Sequence, residues 1–193
     1  LGSYGLHTIK TWTSLAGDQY HADDTLTFTI NWQTNASTPV AANAEDALLP
    51  PTGWMVENPD GLYTWSNVAL SMGANCGATR AFRMNYRSYY APGQSDRIVS
   101  PLVNLAGSAG TRLQFHHAYA PYGSGLDDGL LVQISTDCGQ NWATLWSAYG
   151  AVLGTAPQTT STYVPSACNQ WLLHDIDLSA YDGQRVQVRF VGE

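Results

Sequence analysis

The sequence predicts an all-β protein, an antiparallel β-sandwich or jelly roll. Three observations lead there. Apolar and polar residues alternate with a period of two in several short stretches. Gly, Pro, Asn and Asp punctuate the gaps between those stretches. No segment of useful length carries an apolar period of 3.6 residues. The chain has 193 residues, 44% hydrophobic, with seven Trp and eleven Tyr, enough to fill a core.

From the N-terminus, Leu6, Thr8, Lys10 and Trp12 alternate with His7, Ile9 and Thr11, and Leu26, Phe28, Ile30 and Trp32 alternate with Thr25, Thr27, Thr29 and Asn31. Two strands alone do not make a stable unit, so residues 1–33 are expected to be the last strands of an upstream Ig-like module. Residues 34–44 are small, polar and interrupted by Pro39, which reads as a linker or an extended edge segment. A second module spans residues 45–193. It opens through Leu49-Pro50-Pro51-Thr52-Gly53-Trp54 and the strong turn Asn58-Pro59-Asp60-Gly61, then continues in short strands around Phe82 and Ile98. Pro101 marks an edge or a bulge in the second of these. The stretch Leu113 to Trp142 reads as the organising hairpin, with Leu113–Ala120 and Leu130–Ser135 as paired central strands. Gln170–Leu178 and Arg185–Phe190 follow. In the last, Val186, Val188 and Phe190 face inward and Arg185, Gln187 and Arg189 outward.

Charge excludes several partners. The net charge is −7 with eight Lys plus Arg, too few clustered cations for a nucleic-acid backbone or an anionic membrane surface. No apolar run approaches the ~18 residues of a membrane span. The first residues, Leu1-Gly2-Ser3-Tyr4-Gly5, lack a basic region and an apolar signal core, and the sequence stops directly after a strand pattern. The chain is therefore expected to belong to a longer multidomain polypeptide. Cys76, Cys138 and Cys168 allow one disulfide and one free thiol, with three choices of pair.

Catalysis finds little support. Gly107-Ser108-Ala109-Gly110 and Gly123-Ser124-Gly125 lack the Gly-x-Ser-x-Gly spacing of a nucleophile elbow, and the available Asp residues sit at turns and strand ends. Ser135-x-Asp137-x-Gly139-x-x-Trp142 matches an Asp-box. One such box reads as a structural turn, in which Asp137 accepts backbone N–H groups, Gly139 supplies positive φ and Trp142 packs beneath. His116 and His117 are adjacent on a strand and point to opposite faces, so they do not share an ion. Hard oxygen ligands from loops suit Ca²⁺; the candidates are Glu45 or Asp46, Asp96, and Asp127 or Asp128. Aromatic residues in loops can stack on sugar rings or anchor a partner, and Tyr86, Tyr89, Tyr90 and Tyr122 are the candidate binding face.

Three phrases, in order, carry a resemblance. They are Leu49-Pro50-Pro51-Thr52-Gly53-Trp54 with Tyr63-Thr64-Trp65, then Ser95 to Leu105, then His117-Ala118-Tyr119-Ala120 leading through Asp128-Gly129-Leu130 to Ser135–Trp142. Together they resemble the cleaved-adhesin and MAM-like jelly-roll modules, of galactose-binding type, found in gingipains and in type IX-secreted bacterial surface proteins. The resemblance covers residues 45–193. It implies a non-catalytic adhesion or targeting module, secreted or on a bacterial cell surface, that contacts a glycan or a host or cell-surface protein. It favours a structural Ca²⁺ at Glu45 and Asp96 first, then Asp128. It also implies one further Asp-containing strand beyond Glu193. The rival reading is an accessory folding or export domain of a secreted protease or glycosidase, with no ligand of its own.

Overall fold

The structure, a computed structural model, describes residues 5–13, 25–32, 35–89, 93–123, 125 and 127–193. The chain divides into two compact units, Leu1–Thr34 and Asn35–Glu193. The first contains strands β1 (Gly5–Trp12) and β2 (Thr25–Trp32), antiparallel from Gly5↔Trp32 to Trp12↔Thr25. This register puts Ile9 opposite Phe28 and His7 opposite Ile30. The apolar alternation of β2 therefore lies on one face of the hairpin with the odd-numbered residues of β1.

The regular structure of the second unit is mostly strand: β3 (Asn35–Ser37), β4 (Met55–Glu57), β5 (Ser66–Leu70), β6 (Thr79–Arg83), β7 (Asp96–Val99), β8 (Leu102–Asn104), β9 (Arg112–His117), β10 (Gly129–Ser135), β11 (Ala143–Tyr149), β12 (Leu172–Asp177) and β13 (Arg185–Gly192). Residues 35–37, in the stretch expected to be a linker or an extended edge segment, run as the edge strand β3, parallel to β8. The main sheet has the order β11-β10-β13-β7-β4, with β8 on the same side of β13 as β7. β13 thus lies at the centre. It pairs with β10 along Leu130↔Gly192 to Ser135↔Gln187, and with β7 and β8 on its other edge. Val186 and Val188 of β13 and Val132 and Ile134 of β10 are buried, and with Val103, Leu105 and Leu178 they form one apolar cluster.

Pro101 falls between β7 and β8, inside the sheet rather than at its edge. It has no N–H for the ladder, and the chain bulges there. The Ser100 side chain accepts the Val188 N–H at 2.9 Å, and Gln187 Nε2 donates to the Ser100 carbonyl at 3.1 Å. This corrects the outward assignment of Gln187. Its side chain is on the face away from the apolar cluster, yet it is fully buried beneath the bulge and the Gly139 turn.

The second layer consists of two pairs, β5–β6 and β9–β12. Here the sequence reading needs its main correction. Leu113–Ala120 and Leu130–Ser135 do not form a hairpin: β9 pairs with β12, while β10 pairs with β11 and β13 in the other sheet. The connection of about eleven residues is long enough to cross the ~10 Å between layers. Crossing lets both strands turn their apolar faces to the same core, with Leu113, Phe115 and Ile176 packing against the main-sheet valines.

A disulfide between Cys76 and Cys168, 92 residues apart, ties the β5–β6 loop to the approach to β12, and Trp171 Nε1 donates to the Met72 carbonyl at 3.3 Å beside it. Cys138 is free and exposed. Closing so long a loop constrains the unfolded chain by about 3–5 kcal/mol. The double variant Cys76→Ser/Cys168→Ser is therefore expected to melt about 10 °C below wild type in a thermal scan. A change of a degree or two would show that the link adds nothing to folding.

Candidate functional site

No strand of β5–β6 pairs with a strand of β9–β12 among the described residues, and a cleft of about 650 Å³ opens between the two pairs. Residues 79–85 of the β6 arm line one side and residues 113–120 of the β9 arm the other. The main sheet contributes Ile98, Leu130 and Phe190, and Trp54, Trp65 and Trp171 complete an apolar, aromatic lining. Each of β6 and β9 has a strand partner on one edge and none on the other.

Polar groups gather at the end of the cleft where β10 begins. Tyr119 donates its hydroxyl to Asp128 Oδ2 at 2.8 Å, and Tyr86 donates to the Gly129 carbonyl at 2.6 Å, the two rings meeting edge to face. Burial raises the pKa of both tyrosines. It raises Asp128 as well, aided by Asp127, although the Tyr119 hydrogen bond pulls the other way. Tyr86 is half-buried, bound to main chain, and lines the cleft. Tyr89 is half-buried and donates to Asp60 Oδ2 at 3.1 Å; burial, with Asp96 next, pushes its pKa up to about 12. Tyr122 is exposed and lines the cleft. Tyr90 lies outside the described residues.

Beside the cleft sits a pair of histidines that sequence spacing does not connect. His117 Nε2 lies 2.9 Å from the Leu153 carbonyl oxygen, which can only accept, so Nε2 carries the proton and Nδ1 accepts. His174 Nε2 then donates to that Nδ1 at 2.8 Å. Phe115 stacks on His174 at 4.7 Å, and the Trp146 ring stands 4.3 Å from it. Register explains the meeting: His174 is opposite Phe115 on the core face, one diagonal step from His117. His116, on the other face, is exposed.

The expected metal ligands do not converge. Glu45 is exposed and accepts from Thr79 Oγ1 at 2.5 Å and the Arg80 N–H at 2.9 Å, bonds that hold its pKa low. Asp96 and Asp128 lie at one end of the main sheet with β13 between their strands. No group of three or more His, Cys, Asp or Glu side chains is arranged for a metal among the described residues. Asp96 differs from the other two in being fully buried; burial raises its pKa, while the Thr64 hydroxyl beside it pulls the other way.

Ser135, Asp137, Gly139 and Trp142 do meet in one turn. The Asp137 carboxylate accepts from Ser135 Oγ at 2.7 Å and from the Asn141 N–H at 2.9 Å and its Nδ2 at 2.7 Å, which hold its pKa near about 2. Gly139 has φ +86°, and the Trp142 indole donates to its carbonyl at 3.0 Å. The Arg189 guanidinium lies 4.2 Å over the Trp142 ring.

The histidine pair has a signature in solution. Burial lowers both pKa values, and His117 and His116 lower that of His174 further. A histidine with a depressed folded pKa contributes stability that is present above its unfolded value of about 6.5 and is lost as pH falls through the folded value. The melting temperature is expected to decline between pH 7 and pH 5, and less steeply in His174→Phe. Parallel curves for the two proteins would refute a titrating role for the pair.

No family model matches the chain, and no curated protein does. The solved structures that are loosely similar include two β-sandwich domains. One is the K2 cleaved adhesin domain of Lys-gingipain, at 17% identity, covering 80% of this chain and 91% of that one, with a TM-score of 0.43. The other is a carbohydrate-binding module from the β-sandwich superfamily, at 15% identity, covering 98% of this chain and 67% of that one, with a TM-score of 0.38. At this distance neither carries a function to the chain.

Proposed function

We propose that the unit Asn35–Glu193 is a non-catalytic binding module that serves adhesion or targeting in a larger secreted or cell-surface bacterial protein. The observation that carries this reading is the split second layer, which leaves an aromatic cleft between two strand edges. A free edge offers alternating N–H and C=O groups, and extended peptides add to such edges through main-chain hydrogen bonds. The cleft has one on each side. The ligand we favour is therefore an extended protein segment that seats alternate apolar side chains on Ile98, Leu130 and Phe190.

A glycan is the second reading, favoured by exposed Tyr122 and the Asp128 carboxylate at the same opening. An aromatic face stacks on a sugar ring while a carboxylate accepts its hydroxyls. A structural Ca²⁺ remains part of the proposal, seated at Asp96 rather than shared among Glu45, Asp96 and Asp128.

Binding of the full chain to a displayed library of extended peptides and to an oligosaccharide array tests these readings together. Peptides with alternating apolar residues should be recovered. Ala81, half-buried on the β6 wall, is the place to plug the cleft. Ala81→Trp is expected to weaken peptide binding at least tenfold. Tyr122→Ala should affect only glycan binding. Recovery of neither class, or binding indifferent to Ala81→Trp, would remove the cleft as the binding site.

A further inference from the structure

The main sheet has a second face, turned away from the apolar cluster and the cleft. Cross-strand partners share a face. The pairs Gln133↔Arg189, Arg189↔Val99, Val191↔Arg97 and Glu57↔Arg97 therefore put Gln133, Arg189, Arg97 and Glu57 together on this outer side. Thr144, Ser147 and Tyr149 of β11 join them opposite Gln133, Leu131 and Gly129. From β11 to β7 the surface crosses four adjacent strands, roughly 14 Å.

Two guanidinium groups are held here with little to neutralise them. Arg189 lies 4.2 Å over the Trp142 ring and donates Nε to Gln133 Oε1 at 2.7 Å, while Gln133 Nε2 donates to Thr144 Oγ1 at 3.1 Å. Its two Nη groups make no hydrogen bond among the described residues. Arg97 donates Nη2 to Ser95 Oγ at 2.9 Å, and its Nε is buried without a hydrogen-bond partner. The arginines are diagonal neighbours, close enough that Arg97 adds to the effect of burial in lowering the pKa of Arg189. Glu57 is the carboxylate that offsets them, and at 4.0 Å from Arg97 Nε it completes no hydrogen bond there. Two cations sharing one carboxylate are a local positive excess on a chain whose net charge is −7.

The rest of the surface suits a sugar. The Tyr149 ring lies over Gly129, where a Cβ would collide with it, and Tyr149 is exposed. Its hydroxyl donates to Glu193 Oε1 at 2.7 Å, so the other carboxylate of this face sits at the Gly129 end. Thr144 and Ser147 present exposed hydroxyls between Tyr149 and the arginines. A peptide laid across the middle of a sheet meets no free edge, and its main chain gains nothing. Sugar hydroxyls need only side-chain partners.

We propose that this outer face, centred on Arg97 and Arg189, binds a glycan whose sugars carry a carboxylate. The planar guanidinium fork matches a carboxylate, and the Trp142 and Gln133 contacts hold the Arg189 fork in place before the ligand arrives. Thr144 and Ser147 meet hydroxyls of the same chain of sugars, and Tyr149 stacks on a ring further along. Acidic sugars are selected over neutral ones because the ligand charge replaces the missing counterion of the arginine pair. The site is on the opposite side of the main sheet from the cleft, so it is a second binding surface and rests on neither reading of the cleft.

Calorimetric titration of the full chain with a galacturonate tetramer and with sialyllactose tests the site. At least one should bind at low salt, and its methyl ester should bind about tenfold more weakly, since esterification keeps the ring and removes the charge. Arg97→Gln and Arg189→Gln should each cost about tenfold. Arg97→Gln carries the test if Arg189→Gln, which loses its seat on Trp142, does not fold. Glu57→Gln should strengthen binding about threefold by removing the competing carboxylate, a gain that a purely structural Glu57 would not give. Ala81→Trp and Tyr122→Ala should change nothing, so failure of the cleft and failure of this face are read separately. Absence of binding by both acidic sugars, equal binding of acid and ester, or indifference to both arginine variants would overturn the site. Tighter binding of a glutamate hexapeptide than of either sugar would overturn the proposed ligand.

Discussion

The second unit depends on the pairing of β13 with strands from both halves of the unit. Residues 96–104 reach it on one edge and residues 129–135 on the other, and only through β13 do the two become one sheet. The requirement is strict because a one-residue slip would turn Val186 and Val188 away from the apolar cluster and put Gln187 into it. The bulge at Ser100-Pro101 fits the same constraint. A side-chain oxygen keeps Val188 bonded where proline interrupts the ladder, so the register holds on both sides of the break.

The second layer is built differently. β9–β12 is held by core contacts through Leu113, Phe115 and Ile176. β5–β6 is held mostly at its ends. The Cys76–Cys168 bond and the Trp171 indole fasten its loop, while Asn67 Nδ2 donates to the Ala44 and Leu48 carbonyls. The two pairs are fastened to each other at one end and are not strand-paired, and the cleft is the space left between them. Binding surface arises here because a sheet is left incomplete, with its edges already in place before any ligand arrives.

Period-two alternation is a local property, and the elements it marks were legible in the sequence: β2, β10, β12 and β13, and the Ser135–Trp142 turn, whose residues are all within eight positions. Strand partners are not local. Leu113–Ala120 and Leu130–Ser135 look like a hairpin because each is apolar and the gap is short. Yet the partner of β9 lies some 55 residues downstream, and nothing in either strand names it. The same limit applies to side chains. Tyr86 sits in an aromatic stretch that reads as surface, and it is half-buried because Gly129 and Gly192 approach it from distant strands. His117 and His174 meet for the same kind of reason.

A central sheet with a divided second layer makes a claim about every backbone amide. Residue-resolved hydrogen exchange on the full chain tests it most directly. The account predicts that amides of Val132–Ile134 and Val186–Val191 exchange only with global unfolding. Along β6 and β9, amides on the cleft edges should exchange far faster than those bonded to β5 and β12. Uniform protection across β6 and β9, equal to that of β13, would mean that the edges are paired and the cleft is closed, and the binding function argued from it would fall.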